Sequence, residues 1–357
     1  MKILVGMSGG VDSSVTALLL KEQGHEVVGA TMSIWSGKIK PTTITKNACY
    51  GPDEKEDIEA AKKVCEEIGI PFHVFDCVEQ YEKIVLENFK EEYLSGRTPN
   101  PCIWCNSLIK FDVLPFLAKQ SGINFDKFAT GHYARVEFDE KKDRYILKKG
   151  VNPKKDQSYF IYRLKQNQLA NILLPLGGYT KEQIRDIAKS KGLTVAEKPD
   201  SQDFYGGDYN ELLEVKEKEG NIVDKEGKIL GKHNGIWNYT IGQRKGIGVS
   251  STQPLYVVEL RKETNEVVVG FSDSALKKYL VASNLNWIAM DKLESKIEVK
   301  AKIRSAQEET EVIVTPTGDD EITVEFLDLQ KSLTPGQSIV LYDGDIVLGG
   351  GIIEKVS

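Results

Sequence analysis

Two short strings in this chain carry residue types that do chemistry. Ser8-Gly9-Gly10-Val11-Asp12-Ser13-Ser14 packs three hydroxyls, two glycines and a carboxylate into one run. Backbone N–H groups at a helix start, together with the helix dipole, attract an anion. Gly9 and Gly10 let the backbone approach that anion closely, so the string reads as a phosphate cradle. Asp12 suits such a place only if it holds Mg2+ or orients the loop. A serine-capped helix after a glycine turn is the plainer structure, and Ser-Gly-Gly alone would describe no more than that. The second string is Thr98-Pro99-Asn100-Pro101-Cys102-Ile103-Trp104-Cys105-Asn106, in which two prolines pin a loop before a CxxC. Thiols at that spacing share a metal, close a disulfide, or act as nucleophile and partner. A pair of core thiols also satisfies the spacing. A zinc ribbon would need a second CxxC, and the chain has none.

These strings need elements to position them. Ile3-Leu4-Val5-Gly6-Met7 reads as a buried parallel strand ahead of the first string, and Val15 to Leu20 as the helix behind it. Strands are expected at 25–32, 71–75 and 125–130. Helices are expected at 57–68, 79–93 and 111–120, the last with Pro115 as a kink. The alternation predicts an α/β fold with a doubly wound parallel sheet, whose ligands bind at the carboxyl ends of the strands. Residues 33–52 show no period and are long for an unstructured loop. After about Glu211 the pattern turns to short strands. From about Leu276 strictly alternating strands at 297–303, 311–314, 322–326 and 338–342 suggest a small β-barrel. The expected domains are 1–210, a linking domain 211–276 and a barrel 277–357.

Composition bounds the partners. A chain of 357 residues exceeds one compact core. No apolar run approaches the about 20 residues that span a bilayer, and no export signal opens the chain, so a cytoplasmic protein that avoids membranes is expected. A net charge of −6 argues against indiscriminate coating of nucleic acid. It leaves room for local basic patches such as Lys148-Lys149, Lys154-Lys155 and Arg244-Lys245. Five cysteines do not form a disulfide framework in such a protein. Cys65 and Cys77 read as core thiols, while Cys49 sits in the irregular stretch where a core role is less natural.

The first string resembles the phosphate loop of the ATP-pyrophosphatase (PP-loop) superfamily, which cleaves ATP between its α and β phosphates. It lacks the lysine of a Walker loop. The resemblance sharpens with Asn100-Pro101 to Cys105-Asn106, Ala129-Thr130-Gly131-His132-Tyr133-Ala134, Lys155-Asp156-Gln157-Ser158-Tyr159-Phe160 and Tyr239-Thr240-Ile241-Gly242-Gln243-Arg244-Lys245-Gly246. In order and nearly along the whole chain, these are similar to the tRNA-specific 2-thiouridylases (the MnmA/TrmU family). That resemblance implies a PP-loop domain of HUP type, a small mixed linking domain and a C-terminal β-barrel. It implies that the C2 oxygen of the wobble uridine in tRNAs for Lys, Glu and Gln is adenylated and replaced by sulfur. ATP and Mg2+ are the cofactors so implied. The nucleotide would meet Gly6, Met7, Ser8, Gly9, Gly10, Val11, Asp12, Ser13, Met32 and Gly131. Transferred residues for tRNA are His132, Lys155, Asp156, Gln157, Arg304 and Gln337. A monomer is expected, with sulfur from a cysteine desulfurase, a persulfide carrier or hydrosulfide.

Cys105 matches the family's catalytic cysteine. The family's later, persulfide-bearing cysteine follows a Ser-Gln-Asp/Glu segment, which here is Ser201-Gln202-Asp203-Phe204-Tyr205-Gly206. Tyr205 stands at the cysteine position, and no cysteine follows Cys105. Cys102 stands where the family often has Asp. Two repairs are open. Cys102 could serve as the second thiol, or Cys49, Cys102 and Cys105 could hold a 4Fe-4S cluster with one open iron. Two other readings of the chain are another AMP-forming PP-loop synthetase and a non-catalytic tRNA-binding Fe–S protein.

Overall fold

Ile3, Leu4 and Val5 are wholly buried, as an unbroken apolar run in a central parallel strand requires. This strand, β1 (Lys2–Gly6), lies between β2 (Glu26–Ser33) and a later strand, with Leu4 paired to both Val28 and Phe128. The computed structural model describes residues 1–42, 48–200, 203–331 and 333–357. Contacts divide the chain into two units. The first comprises Met1–Leu86, Pro101–Glu211 and Asp345–Leu348, and the second Glu87–Asn100, Leu212–Gly344 and Gly349–Ser357.

In the first unit, α1 (Val11–Glu22) joins β1 to β2. Then come β3 (Ala48–Tyr50), α2 (Glu54–Ile68) and β4 (Phe72–Asp76). Further on lie β5 (Lys127–Ala129), β6 (Ala134–Asp139), β7 (Arg144–Lys149), β8 (Ile172–Leu173) and β9 (Asp203–Tyr205). The main sheet has the order β4-β2-β1-β5-β8 and its pairings are parallel. Chain order reverses between β1 and β5, so the crevice that receives ligands in such sheets opens there. Val15, Ala17 and Leu20 of α1 and Ala61, Val64 and Cys65 of α2 fill the core beside it. Cys65 and Cys77 are fully buried, as expected of core thiols. A separate parallel pair, β3 with β9, sets Ala48 against Asp203 and Tyr50 against Tyr205.

The expected loop around the CxxC is helical. Pro101 opens a turn of α-helix, Pro101–Trp104, and a π-helix follows over Cys105–Val113 before α-helix resumes at Leu114–Gln120. Proline suits a first helical turn because it lacks only an N–H that has no partner there. Pro115 lies in the first turn of the resumed α-helix. Within the irregular stretch 33–52, residues 43–47 lie outside the described residues, as do Ser201 and Gln202.

The second unit begins with a sheet of β10 (Gly220–Val223), β11 (Ile229–His233), β12 (Tyr256–Arg261) and β13 (Glu266–Gly270), in the order β11-β10-β13-β12. Ile222, Val257, Val267 and Val269 form its core. The alternating segments form β14 (Leu276–Trp287), β15 (Ile297–Lys302), β16 (Thr310–Gly318), β17 (Glu321–Lys331), β18 (Ser338–Asp343) and β19 (Ile346–Val356). They run β14-β17-β16-β15-β18-β19, and β19 pairs back to β14 to close a barrel. Among the described residues no helix is long and apolar enough to cross a membrane.

Candidate active site

The chain leaves β1 at Gly6 and enters α1 at Val11 through the Ser-Gly-Gly turn. Gly9 has a φ of +70°, and a Cβ there would lie 2.3 Å from the Asp57 carbonyl oxygen. Only glycine fits that position. Gly10 stands at the N-cap of α1 and no side chain caps the helix, which leaves first-turn N–H groups for a ligand. Ser13 Oγ accepts the Ser8 N–H at 3.1 Å and lies 3.2 Å from Ser8 Oγ. Ser14 Oγ donates to the Gly10 carbonyl at 2.8 Å. The hydroxyls therefore shape the loop. Val11 is buried, and the buried Met7 donates its N–H to the Ala30 carbonyl at 2.7 Å.

The loop forms one wall of a cavity of 380 Å³, within the range of small-molecule sites. Met32 and Ile34 at the end of β2, and Gly131, His132 and Tyr133 after β5, form other walls. Gly131 is pressed against the loop, since a Cβ on it would lie 2.7 Å from the Asp12 carbonyl carbon and 2.8 Å from the Ser13 nitrogen. Glu54 shapes the Met32 side by accepting from Ser33 Oγ at 2.8 Å and from the N–H groups of Ile34 and Trp35 at 2.6 and 3.0 Å.

Asp12 does not stand alone. Lys181 Nζ donates to both of its carboxylate oxygens at 2.8 Å, and Tyr133 Oη donates to one at 2.7 Å. Lys181 is 6% exposed and also pairs with Asp200 at 2.8 Å. Asp200 in turn meets Lys155 at 2.7 Å and Arg185 at 3.4 Å. Burial works against the Asp200 charge, but Lys155 and Lys181 outweigh it and hold the carboxyl below its usual range. Burial and the neighbouring Asp12 push the Tyr133 phenol up, so it remains a donor. Lys198 completes the rim, pairing with Asp57 at 2.6 Å and donating to the Gly9 carbonyl at 3.1 Å. Lys181, Asp200 and Lys198 have no local signature. The one trace of Lys181 is its place just inside a capping box, Thr180 with Gln183.

Cys49, Cys102 and Cys105 share one neighbourhood, since their charges act on one another and on the fully buried Tyr81. Cys49 is exposed and lines the same cavity, and its Sγ lies 3.7 Å from the Asp203 carbonyl. Burial pushes the Cys105 thiol up to about 11, opposed mainly by the charge of Lys110. Cys102 is driven higher by the same burial. Among the described residues no group of three or more His, Cys, Asp or Glu side chains is set to hold a metal ion. Tyr205 is buried in an aromatic cluster, 6.3 Å from Tyr50, and donates to Glu211 at 2.6 Å.

The residues carried over for tRNA fall in both units. His132 is buried, bonded to Thr130 Oγ1 at 2.8 Å, and burial followed by Lys110 keeps it neutral. Asp156 accepts from the Gly150 and Ser158 N–H groups at 3.0 and 3.1 Å and so folds its own loop. Gln157 accepts the Tyr133 N–H at 2.9 Å and lines the cavity, as does Lys155. In the second unit, Arg304 donates to Thr334 at 2.9 Å, and Gln337 holds the carbonyls of Thr98 and Pro99 at 2.9 and 3.2 Å.

A parallel sheet whose glycine loop opens onto a nucleotide-sized cavity at the strand-order reversal defines a PP-loop protein of HUP type, a fold that implies ATP binding. Comparison with known proteins agrees. Residues 1–205 match the family described as tRNA methyl transferase HUP domain, 212–271 its PRC-barrel domain, and 277–353 the aminomethyltransferase beta-barrel domain. The chain is 51% identical over 356 residues to the tRNA-specific 2-thiouridylase MnmA of Endomicrobium trichonymphae, covering 99% of both chains. It is 47% identical over 360 residues to that of Acetivibrio thermocellus, again covering 99% of both. It is 49% identical over 361 residues to MnmA 1 of Caldanaerobacter subterraneus subsp. tengcongensis, covering 99% of this chain and 98% of the relative. The chain belongs to the family of tRNA-specific 2-thiouridylases.

Proposed function

We propose that this protein is a cytoplasmic, monomeric enzyme that replaces the C2 oxygen of the wobble uridine of tRNA by sulfur, forming AMP and pyrophosphate. Full-length identity to named 2-thiouridylases carries the reading, and the intact phosphate loop supports it. Substrates of the Lys, Glu and Gln type follow from the same kinship. A carbonyl oxygen leaves poorly. Adenylation makes it part of a phosphate ester, so sulfur attack at C2 expels AMP. The first-turn N–H groups of α1 and the Ser8 and Ser13 hydroxyls hold the pyrophosphate end. Asp12 lines the cavity, where Lys181 donates to its carboxylate, and it would be the residue of this chain to hold a Mg2+ that accompanies the nucleotide. When bound, Mg2+ supplies charge neutralisation at the phosphates. Gly131 lets the segment after β5 pack main chain to main chain against the first turn of α1.

Sulfur handling falls to Cys105 with Cys102, one helical turn apart at the start of the helical run. Tyr205 has no sulfur to hand on, so the later-cysteine route is absent. Cys49 lies in the same neighbourhood. The three thiols as arranged do not form a ligand set for a metal ion. The dithiol route expels sulfur from a persulfide on one thiol and leaves a Cys102–Cys105 disulfide. A cysteine desulfurase or a persulfide carrier, whose sulfur is already at the persulfide level, loads that persulfide by transfer to the thiolate; hydrosulfide could serve only the cluster route.

Anaerobic purification with iron analysis of the wild type and of Cys49→Ala, Cys102→Ala and Cys105→Ala tests the assignment, with thiolation measured beside it. The dithiol route expects no iron, an active Cys49→Ala, and one disulfide per turnover. Iron lost in each variant together with thiolation would replace it by the cluster route. Wild-type thiolation by Cys105→Ala would overturn both.

A further inference from the structure

Most cations around the nucleotide cavity are already neutralised. Lys198 pairs with Asp57, and Lys155 with Asp200. Lys181, behind the loop, pairs with Asp12 and Asp200. Lys110 differs. It lines the same cavity, is half-buried, and among the described residues makes no ion pair or hydrogen bond. A partly desolvated ammonium without a counter-charge is costly in the free protein, and it fits a site whose ligand brings the negative charge.

Its position follows from an unusual backbone. Cys105–Val113 is a π-helix, in which residues five apart stand one turn apart. Lys110 therefore rises one turn beyond Cys105 on the same side, whereas an α-helix would rotate it away. Its charge is felt by Cys49, Cys105 and His132, which places it at the thiol end of the cavity. The pyrophosphate end is the α1 loop. The reacting phosphorus must lie between the loop and the sulfur.

We propose that Lys110 is the cation that binds the α-phosphate of the nucleotide and takes up the charge of AMP as it leaves. This rests on the adenylation reading above. When sulfur bonds to C2, the C2–O bond breaks and its electron pair stays on the phosphate oxygen. The adenylate gains one negative charge at that moment, and a cation positioned there favours the transition state over the ground state. Pyrophosphate, held by the loop, does not depend on Lys110.

The test is calorimetric titration of the full chain, without tRNA, with AMP, adenosine and pyrophosphate. Wild type, Lys110→Met and Lys110→Arg are compared. We expect Lys110→Met to weaken AMP binding by about tenfold or more, with adenosine and pyrophosphate unchanged. Lys110→Arg should keep AMP affinity within a few-fold, since the charge remains. Equal AMP affinity in wild type and Lys110→Met overturns the proposal. So does a wild type that does not prefer AMP to adenosine, or a Met variant that loses adenosine as strongly as AMP. These measurements need no turnover. Failure of wild type to thiolate tRNA would count against the functional reading and leave the binding result to judge Lys110.

Discussion

Replacing Asp12 should separate stability from chemistry. Asp12→Asn keeps the shape and loses the charge that meets Lys181 at 2.8 Å through both oxygens. Stripping a buried charge of its only partner costs about 3–5 kcal/mol. Here Lys181 keeps Asp200 at 2.8 Å, and Asp12 is itself partly exposed, so the loss should be about 1–2 kcal/mol. The variant should fold and melt only a few degrees lower. The reaction should suffer far more, because the loop loses the carboxylate proposed to hold Mg2+ beside the phosphates. A lost contact at developing charge is worth several kcal/mol of barrier, on the order of a thousandfold in rate. Asp12→Ala should show the same rate loss. The assay is tRNA-dependent pyrophosphate release at saturating ATP, with thermal unfolding measured alongside. Wild-type pyrophosphate release by Asp12→Ala would refute the reasoning. A stability loss as large as that of an unpartnered buried charge would show that Asp200 does not share Lys181.

Gly131→Ala should weaken ATP binding at least tenfold, because its Cβ would lie 2.7 Å from main chain of Asp12, which cannot swing aside; equal ATP affinity by titration would count against the close packing. Alkylation of Cys105 should accelerate about tenfold per pH unit from neutrality towards its raised value of about 11, read by mass spectrometry; a plateau near pH 8 would contradict the burial effect. The same shift has a stability consequence: the unfolded thiol ionises near 9.0 and the folded one near 11, so this contribution is full below pH 9 and is lost as pH rises through 11. Neutralising Lys154 and Lys155 together should weaken tRNA binding and flatten its salt dependence by roughly 1 to 2 units, while the same affinity and slope would place this patch outside the interface.

Local order made several features legible. The apolar run ending at Gly6 and the Ser-Gly-Gly turn announced a strand, a loop and a helix, because burial and glycine conformation are written in neighbouring residues. Strict alternation in 297–302 gave a barrel strand for the same reason. The CxxC was legible as chemistry but not as geometry. Two prolines suggested a loop, yet Pro101 opens a helix, and the π-helix that follows has no pattern of its own.

Only the tertiary structure decided what surrounds those groups. Lys181 reaches Asp12 across 169 positions, and Tyr133 reaches the same carboxylate across 121. The pairing of β3 with β9 sets the strand of Cys49 against Tyr205, so a thiol stands beside the strand from which the family's later cysteine is missing. Lys110 differs from the neighbouring lysines because those are paired with carboxylates from distant segments. Such facts depend on which distant segments pack together, and local periodicity carries the face of an element but not the identity of what it meets. The sequence alone therefore determined the phosphate loop, the thiols and the kind of domain that bears them. The fold decided which charges are neutralised, and so where an incoming phosphate can supply the missing one.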